Sequence, residues 1–575
     1  MPHPLLSLEH FRYRLAHVDA LPQLVVLGIL SGLVAGGLMS LFRITYDAVQ
    51  YWLLSGGNEN FEGLSDSARL LFPVIGSLLL ALLFLAIPPQ ARAVGIVHLI
   101  DRLNNHQGRM PGINLLVQFL AALLALSSGH SVGREGPTVH MGAAASSWLG
   151  QRLHLPNNTL RLLVGCGAAA GISAAFNTPL AGVIFSMEVV LLEYTLIGFM
   201  PIMVAAVVGD VVVRLTAGEA IVFNAPALEI DTLSELPLVM LLGLMTGLLA
   251  AGFHFLHRHT LRLRHWNIPA RFMLAGVLTG LVALYWPEVM GSGYDTIESL
   301  FHTQPAAVWL LGLLLAKWLL TPVIIALGIP AGLIAPALFI GAVAGALLGA
   351  IGNQLGLVIN TGLYAMLGMG AMMAALLNAP LAALLAILEL THNTEIILPG
   401  MLAIVTANLT TRYGFGLPSI FHASLQAQGM DMRQAPLAQV LSRAAVGSLM
   451  QRNFVETDSR IELSSISSLL SASPQWVLVW EGQNYHLLPP ADLKAWLNSE
   501  HPEQTPPDQP VDLLDIPAQR RDVKPLLYRA TLKEALDVMQ QHQLEYLLVV
   551  SNQQTPLGLI SREQIESYYN HRQSL

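Results

Sequence analysis

With 575 residues, of which 54% are hydrophobic and 11% charged, and a mean hydropathy of +0.56, the chain has too few charges for a soluble protein of its size. A net charge of −8 without any strongly basic stretch gives no support for nucleic-acid binding, and the single cysteine, Cys166, excludes an intrachain disulfide. The composition predicts a polytopic membrane protein with room for a soluble domain.

Residues 1–20 read as a cytoplasmic lead-in helix, and the first apolar segment, which lacks a small-residue cleavage site, reads as retained. From 21 to 425 the chain reads as membrane, with apolar segments at 21–42, 70–87, 115–126, 196–213, 237–255, 272–285, 309–329, 332–355, 363–388 and 396–409. Several fall short of the roughly 20 residues of a straight span. Short, interrupted segments are the pattern of half-helices meeting near a membrane midplane.

The most informative interruption is Gly133-Arg134-Glu135-Gly136-Pro137. A carboxylate at such depth is costly and marks a water path or a protein interior. The glycines allow close backbone approach and Pro137 suits a first helical turn, so the stretch predicts a broken helix presenting N–H groups to an anion. Glu135 is then a tethered anion that occupies the site itself, or swings out or is protonated to admit a free anion. The plainer alternative is a surface loop with an Arg134–Glu135 ion pair.

The interruption recurs. Asn177-Thr178-Pro179-Leu180-Ala181 precedes Glu188 as Asn378-Ala379-Pro380-Leu381-Ala382 precedes Glu389, with the same spacing of 11 from Asn to Glu and an offset of 201 between copies. Pro137, Gly142 and Gly150 fall opposite Pro336, Gly341 and Gly349 at offset 199, so Gly332-Leu333-Ile334-Ala335-Pro336 is the uncharged counterpart of the first break. Matched breaks in two halves, here about 21–215 and 236–425, point to one binding site between them. The residues leave open whether the halves are parallel or inverted.

Beyond a polar linker at 426–445, two similar units at about 446–500 and 511–575 alternate short apolar strands with helices, as at Trp476–Trp480 and Tyr546–Val550, and predict a paired α/β domain. No metal-ligand spacing appears among the histidines, and Gly129-His130-Ser131 lacks the partners of nucleophilic chemistry, so no enzyme is expected. His98, His130 and His140 lie near the expected path, with satisfied packing as the plainer reading.

Residues 133–137, the run Gly165–Phe185, residues 332–336 and the paired C-terminal units together resemble the CLC family of chloride channels and proton/chloride antiporters. The resemblance implies an all-α polytopic domain of two inverted repeats, one pore per subunit of a homodimer in a bacterial-type inner membrane, and a cytoplasmic α/β pair of CBS domains. It implies Glu135 as the gating glutamate. Backbone amides of Gly133, Arg134, Glu135 and Gly136 and of Leu333, Ile334 and Ala335 would bind chloride or another small anion.

The chain also departs from that family. Val94 stands in place of a serine and Phe421 in place of a tyrosine whose hydroxyls contact the central anion, which removes two bonds of roughly 1.5–3 kcal/mol each. Val189 follows Glu188 where antiporters of the family commonly carry an internal glutamate, which favours a passive voltage- or proton-gated chloride channel. Proton-coupled antiport is the alternative, with Glu188 as a second proton-path candidate, and a non-halide anion transporter is the third reading. Transport needs no cofactor. An adenine nucleotide at the CBS pair would use Ser561, Gln564 and Asp492, though neither copy of the ribose-binding pattern is complete.

Overall fold

Glycine, asparagine and proline cut the apolar chain into helices of very different length. The structure, a computed structural model, describes residues 15, 20–54, 59–218, 223–226, 228, 232–430, 440–482, 484–499 and 510–573. The expected lead-in helix lies largely outside them, as do residues 431–439 of the expected linker. The first half contains α1 (Leu21–Leu53), α2 (Asp66–Ala86), α3 (Gly95–Asn105), α4 (Gly112–Ser127), α5 (Glu135–Arg152), α6 (Asn157–Phe176), α7 (Pro179–Phe185) and α8 (Leu196–Ala217). The second contains α9 (Leu236–Thr260), α10 (Ile268–Ala283), α11 (Tyr294–His302), α12 (Ala307–Leu327), α13 (Ile334–Gln354), α14 (Thr361–Leu377), α15 (Pro380–Thr391), α16 (Ile397–Leu409) and α17 (Ile420–Ala427). Among the described residues, eight helices are long and apolar enough to cross a membrane.

The repeated motif acts as a helix-to-helix joint. Asn177 and Asn378 both adopt left-handed backbone, φ 54° and 56°, which ends the preceding helix, and the proline two residues later starts the next at its first position. The segment expected as one run at 363–388 is therefore two helices, α14 and α15.

The two halves cap one another through their repeated glutamates. Glu188 accepts from the backbone N–H groups of Leu381 (3.4 Å) and Ala382 (2.8 Å) at the start of α15. Glu389 accepts from those of Leu180 (2.9 Å) and Ala181 (2.8 Å) at the start of α7. Each carboxylate thus satisfies donors that a helix start leaves without partners, in the other half.

The aligned glycines explain the close packing inside each half. A Cβ on Gly142 would stand 2.2 Å from the carbonyl oxygen of Gly167, and one on Gly341 would stand 2.1 Å from that of Gly368. Helices α5 and α6, and equivalently α13 and α14, therefore meet backbone to backbone, the packing that small residues provide in lipid.

The C-terminal unit is built from β1 (Phe454–Asp458), β2 (Arg460–Glu462), α18 (Leu463–Ser471), β3 (Trp476–Glu481), β4 (Asn484–Leu488), α19 (Pro490–Leu497), β5 (Pro510–Asp512), β6 (Arg521–Leu527), α20 (Leu532–His542), β7 (Tyr546–Val550), β8 (Pro556–Ser561) and α21 (Arg562–Gln573). Its main sheet has the order β1-β3-β4-β6-β7-β8. In each unit a parallel pair (β1 with β3, β6 with β7) is followed by an antiparallel strand, and β4 and β6 join the units.

The boundaries expected at 446–500 and 511–575 cut across an exchange of lead-in segments. Leu441, Ala444 and Val446 pack with Ala535, Leu536 and Ile560 of the second unit, and the Val446 N–H donates to Ala530 O at 2.9 Å. Conversely β5 pairs with β2, and Leu513 and Ile516 pack with Ile466, Val477 and Leu488 of the first.

Candidate functional site

The two matched breaks meet. Gly133 N–H donates to Gly332 O at 2.7 Å and Gly332 N–H donates to Gly133 O at 2.6 Å, a reciprocal antiparallel bridge between positions 199 residues apart. Reciprocal contacts of this kind are what a two-fold relation between halves produces. The bridge brings the N-termini of α5 and α13 together. Their leading amides have no carbonyl one turn back to bond, and both helix dipoles present positive ends. One expectation changes here: the Gly133 N–H is committed to Gly332, so the donors left to an anion are those of the helix starts proper, at residues 134–136 and 333–335.

The Glu135 side chain is 2% exposed. Oε1 accepts a hydrogen bond from the Tyr294 hydroxyl. Oε2 makes no hydrogen bond among the described residues and lies over the glycine bridge, where a Cβ on Gly332 would stand 3.0 Å from it. A carboxylate oxygen without a partner, held over converging helix N-termini, occupies the place chemically suited to a small anion. Arg134 forms no ion pair with Glu135 among the described residues. Its guanidinium lies 5.0 Å over the Phe176 ring and 5.5 Å over that of Tyr294, so the surface ion pair is excluded.

Two cavities adjoin this point. Val94, Gly136, Gly332, Leu333 and Phe421 line one, together with His98, Asp101, Arg92 and Arg264. Glu135, Ile334, Tyr294, Phe176 and Thr178 line the other, which is mostly apolar. The sequence-predicted positions thus converge from four separate stretches of chain. Val94 and Phe421 present hydrocarbon to the first cavity where the family resemblance implies hydroxyls.

The remaining candidates lie elsewhere. Val189 is 3% exposed in the apolar core, within the π-helical turn Ser186–Leu191 that continues α7, and lines neither cavity. Glu188 is engaged in the reciprocal cap. His130 is satisfied by Ser77 (2.9 Å) and Ser128 (2.9 Å). His98 bonds His140 at 2.9 Å and accepts from Arg102 at 3.1 Å. In the C-terminal unit, Ser561 and Gln564 line a cavity but also cap α21 reciprocally, with Gln564 N to Ser561 Oγ at 3.2 Å and Ser561 N to Gln564 Oε1 at 2.8 Å. Asp492 lies apart from that cavity and accepts from Gln519 N at 2.8 Å.

Two residues escaped sequence reasoning. Tyr294 follows Gly291-Ser292-Gly293, a break whose small residues were the available signal. Lys317, fully buried in the apolar helix α12, donates to Val289 O (2.9 Å) and Gly291 O (3.1 Å) and so fixes the turn that carries Tyr294. A lone lysine in an apolar span was its signal.

Outside the spans, the segment before α2 holds Glu62 against the same turn. Burial, and then the Asp295 carboxylate, raise Glu62 from 4.5 to about 7. With a folded value above the ordinary one, the fold favours the neutral acid, so stability is full below the ordinary value and falls as pH rises through about 7. Glu62→Gln is expected to raise the melting temperature near pH 8 and leave it unchanged at about pH 4. Equal effects at both pH values in a thermal-unfolding assay would contradict this.

Residues 76–412 match the family described as voltage gated chloride channel. The putative chloride channel protein ClcB-like of Ralstonia nicotianae is 32% identical over 431 residues, covering 70% of this chain and 97% of that protein. The H(+)/Cl(-) exchange transporter ClcA of Vibrio cholerae serotype O1 is 32% identical over 370 residues, covering 60% of this chain and 78% of that protein. A solved eukaryotic CLC transporter shares the fold, with a TM-score of 0.60, 18% identity and coverage of 94% of this chain and 97% of its own. The paired half-helices, the glutamate lodged between them and the match across the membrane part agree: the chain belongs to the CLC, or voltage gated chloride channel, family of membrane anion transport proteins.

Proposed function

We propose that the chain is a proton-coupled antiporter of chloride or a similar small anion, working as a homodimer in a bacterial inner membrane, with a cytoplasmic pair of CBS-type units. One observation carries the reading: the Glu135 carboxylate sits where the N-termini of α5 and α13 converge, so proton, carboxylate and anion compete for one place. An ionised Glu135 is held there by the helix ends and excludes a free anion. A proton removes that attraction, the side chain leaves, and an anion enters. The Vibrio cholerae relative is named an exchange transporter, which favours coupling over the passive channel that Val189 alone favours. The βαββα order of both C-terminal units supports the CBS-type pairing.

The test is the reversal potential of purified full-length protein in liposomes under fixed chloride and pH gradients. Coupled antiport displaces it from the chloride equilibrium value by an amount set by the pH gradient. A reversal potential that stays at the chloride value whatever the pH gradient rejects antiport and returns the chain to the channel reading.

A further inference from the structure

If Val94 and Phe421 offer no hydroxyl, the anion must find its side-chain donor elsewhere or go without. The Tyr294 hydroxyl donates to Glu135 Oε1, and both residues line the same apolar cavity. The phenol is held from several sides. Its ring meets those of Phe176 and Phe223 edge-on, with centroids 6.2 Å and 5.4 Å away, and the Arg134 guanidinium lies over its face. Gly293 before it has φ 75°, and a Cβ there would stand 2.5 Å from the Phe339 ring. Lys317 clamps the carbonyls of Val289 and Gly291, while Ser292 donates to Glu59.

A donor fixed this firmly does not follow Glu135 when the carboxylate leaves. We propose that the Tyr294 hydroxyl is the side-chain donor to the transported anion, passed from Glu135 to the anion when the gate opens. The inference rests on the reading of Glu135 as the occupant of the anion site. A buried hydroxyl without an acceptor is costly, so Tyr294 also disfavours an empty site and ties departure of the carboxylate to arrival of the anion. Removing the hydroxyl weakens both competitors in the wild-type background, and the effect on the anion stands alone only when Glu135 is absent.

The experiment is therefore chloride titration calorimetry on full-length Glu135→Ala and on Glu135→Ala/Tyr294→Phe. The phenylalanine keeps the ring and its packing, so a purely structural role leaves affinity unchanged. We expect the double variant to bind chloride about tenfold to a hundredfold more weakly, the range for a hydrogen bond to a charged group. Equal affinities overturn the role of Tyr294 and leave Glu135 untouched. Chloride binding absent from Glu135→Ala itself overturns the reading of Glu135 and this inference with it.

Discussion

Glu135→Gln is expected to abolish the pH dependence of chloride flux in liposomes and to cut coupled proton movement by about a hundredfold or more, the scale on which a positioned proton-transfer group contributes. The amide nearly matches the carboxylate in shape, so the local packing survives, but like the protonated acid it is no longer drawn to the helix ends and it releases Tyr294. It carries neither the charge that the ends of α5 and α13 attract nor a proton to exchange. The gate then rests in one state at every pH, and the reversal potential returns to the chloride equilibrium value. Survival of both flux and pH response unaltered would remove Glu135 from the mechanism.

The second large effect is expected at Gly332. An alanine Cβ there would stand 2.6 Å from Gly136 N, 2.9 Å from Gly133 O and 3.0 Å from Glu135 Oε2. Two of these atoms are backbone and cannot rotate away, so the bridge must open and the helix starts must part. Overpacking of this kind costs about 1–3 kcal/mol in stability. Flux should suffer more, falling by about tenfold or more, because a displacement on the order of 1 Å at a positioned site is that damaging. Gly37→Ala is the control: a Cβ there meets nothing within 4 Å, so flux and melting temperature should stay near wild type. A Gly332→Ala protein that transports like Gly37→Ala would show that the bridge does not position the site.

Much of this was legible because breaks in a membrane chain are chemically conspicuous. Glycine, proline and a charge stand out against hydrocarbon, and their matched offsets pointed to one site between the two breaks, though not to the backbone bridge that joins Gly133 to Gly332. Helix α6 was missed as an apolar segment because its middle is glycine and alanine, chosen for close packing against α5. The 363–388 run hid a helix boundary because Asn378 ends α14 through backbone conformation, which hydropathy does not register. Tyr294 was invisible as a partner of Glu135 because 159 residues separate them and no spacing rule links the two. The exchanged lead-in segments of the C-terminal unit were equally hidden, since an apolar residue such as Val446 or Leu513 carries no mark of which core it will enter.

The crossed carboxylate caps bear on how the chain is made. During synthesis the start of α7 emerges 209 residues before Glu389, its cap. At ordinary elongation rates of about 5–20 residues per second that is an interval of roughly 10–40 s. Through that interval the start of α7 lacks its carboxylate cap, and the Glu188 carboxylate lacks the start of α15 that it caps. Neither half can complete its own helix ends. The nascent first half is an open half-product that only the finished second half can close, so the two repeats mature together.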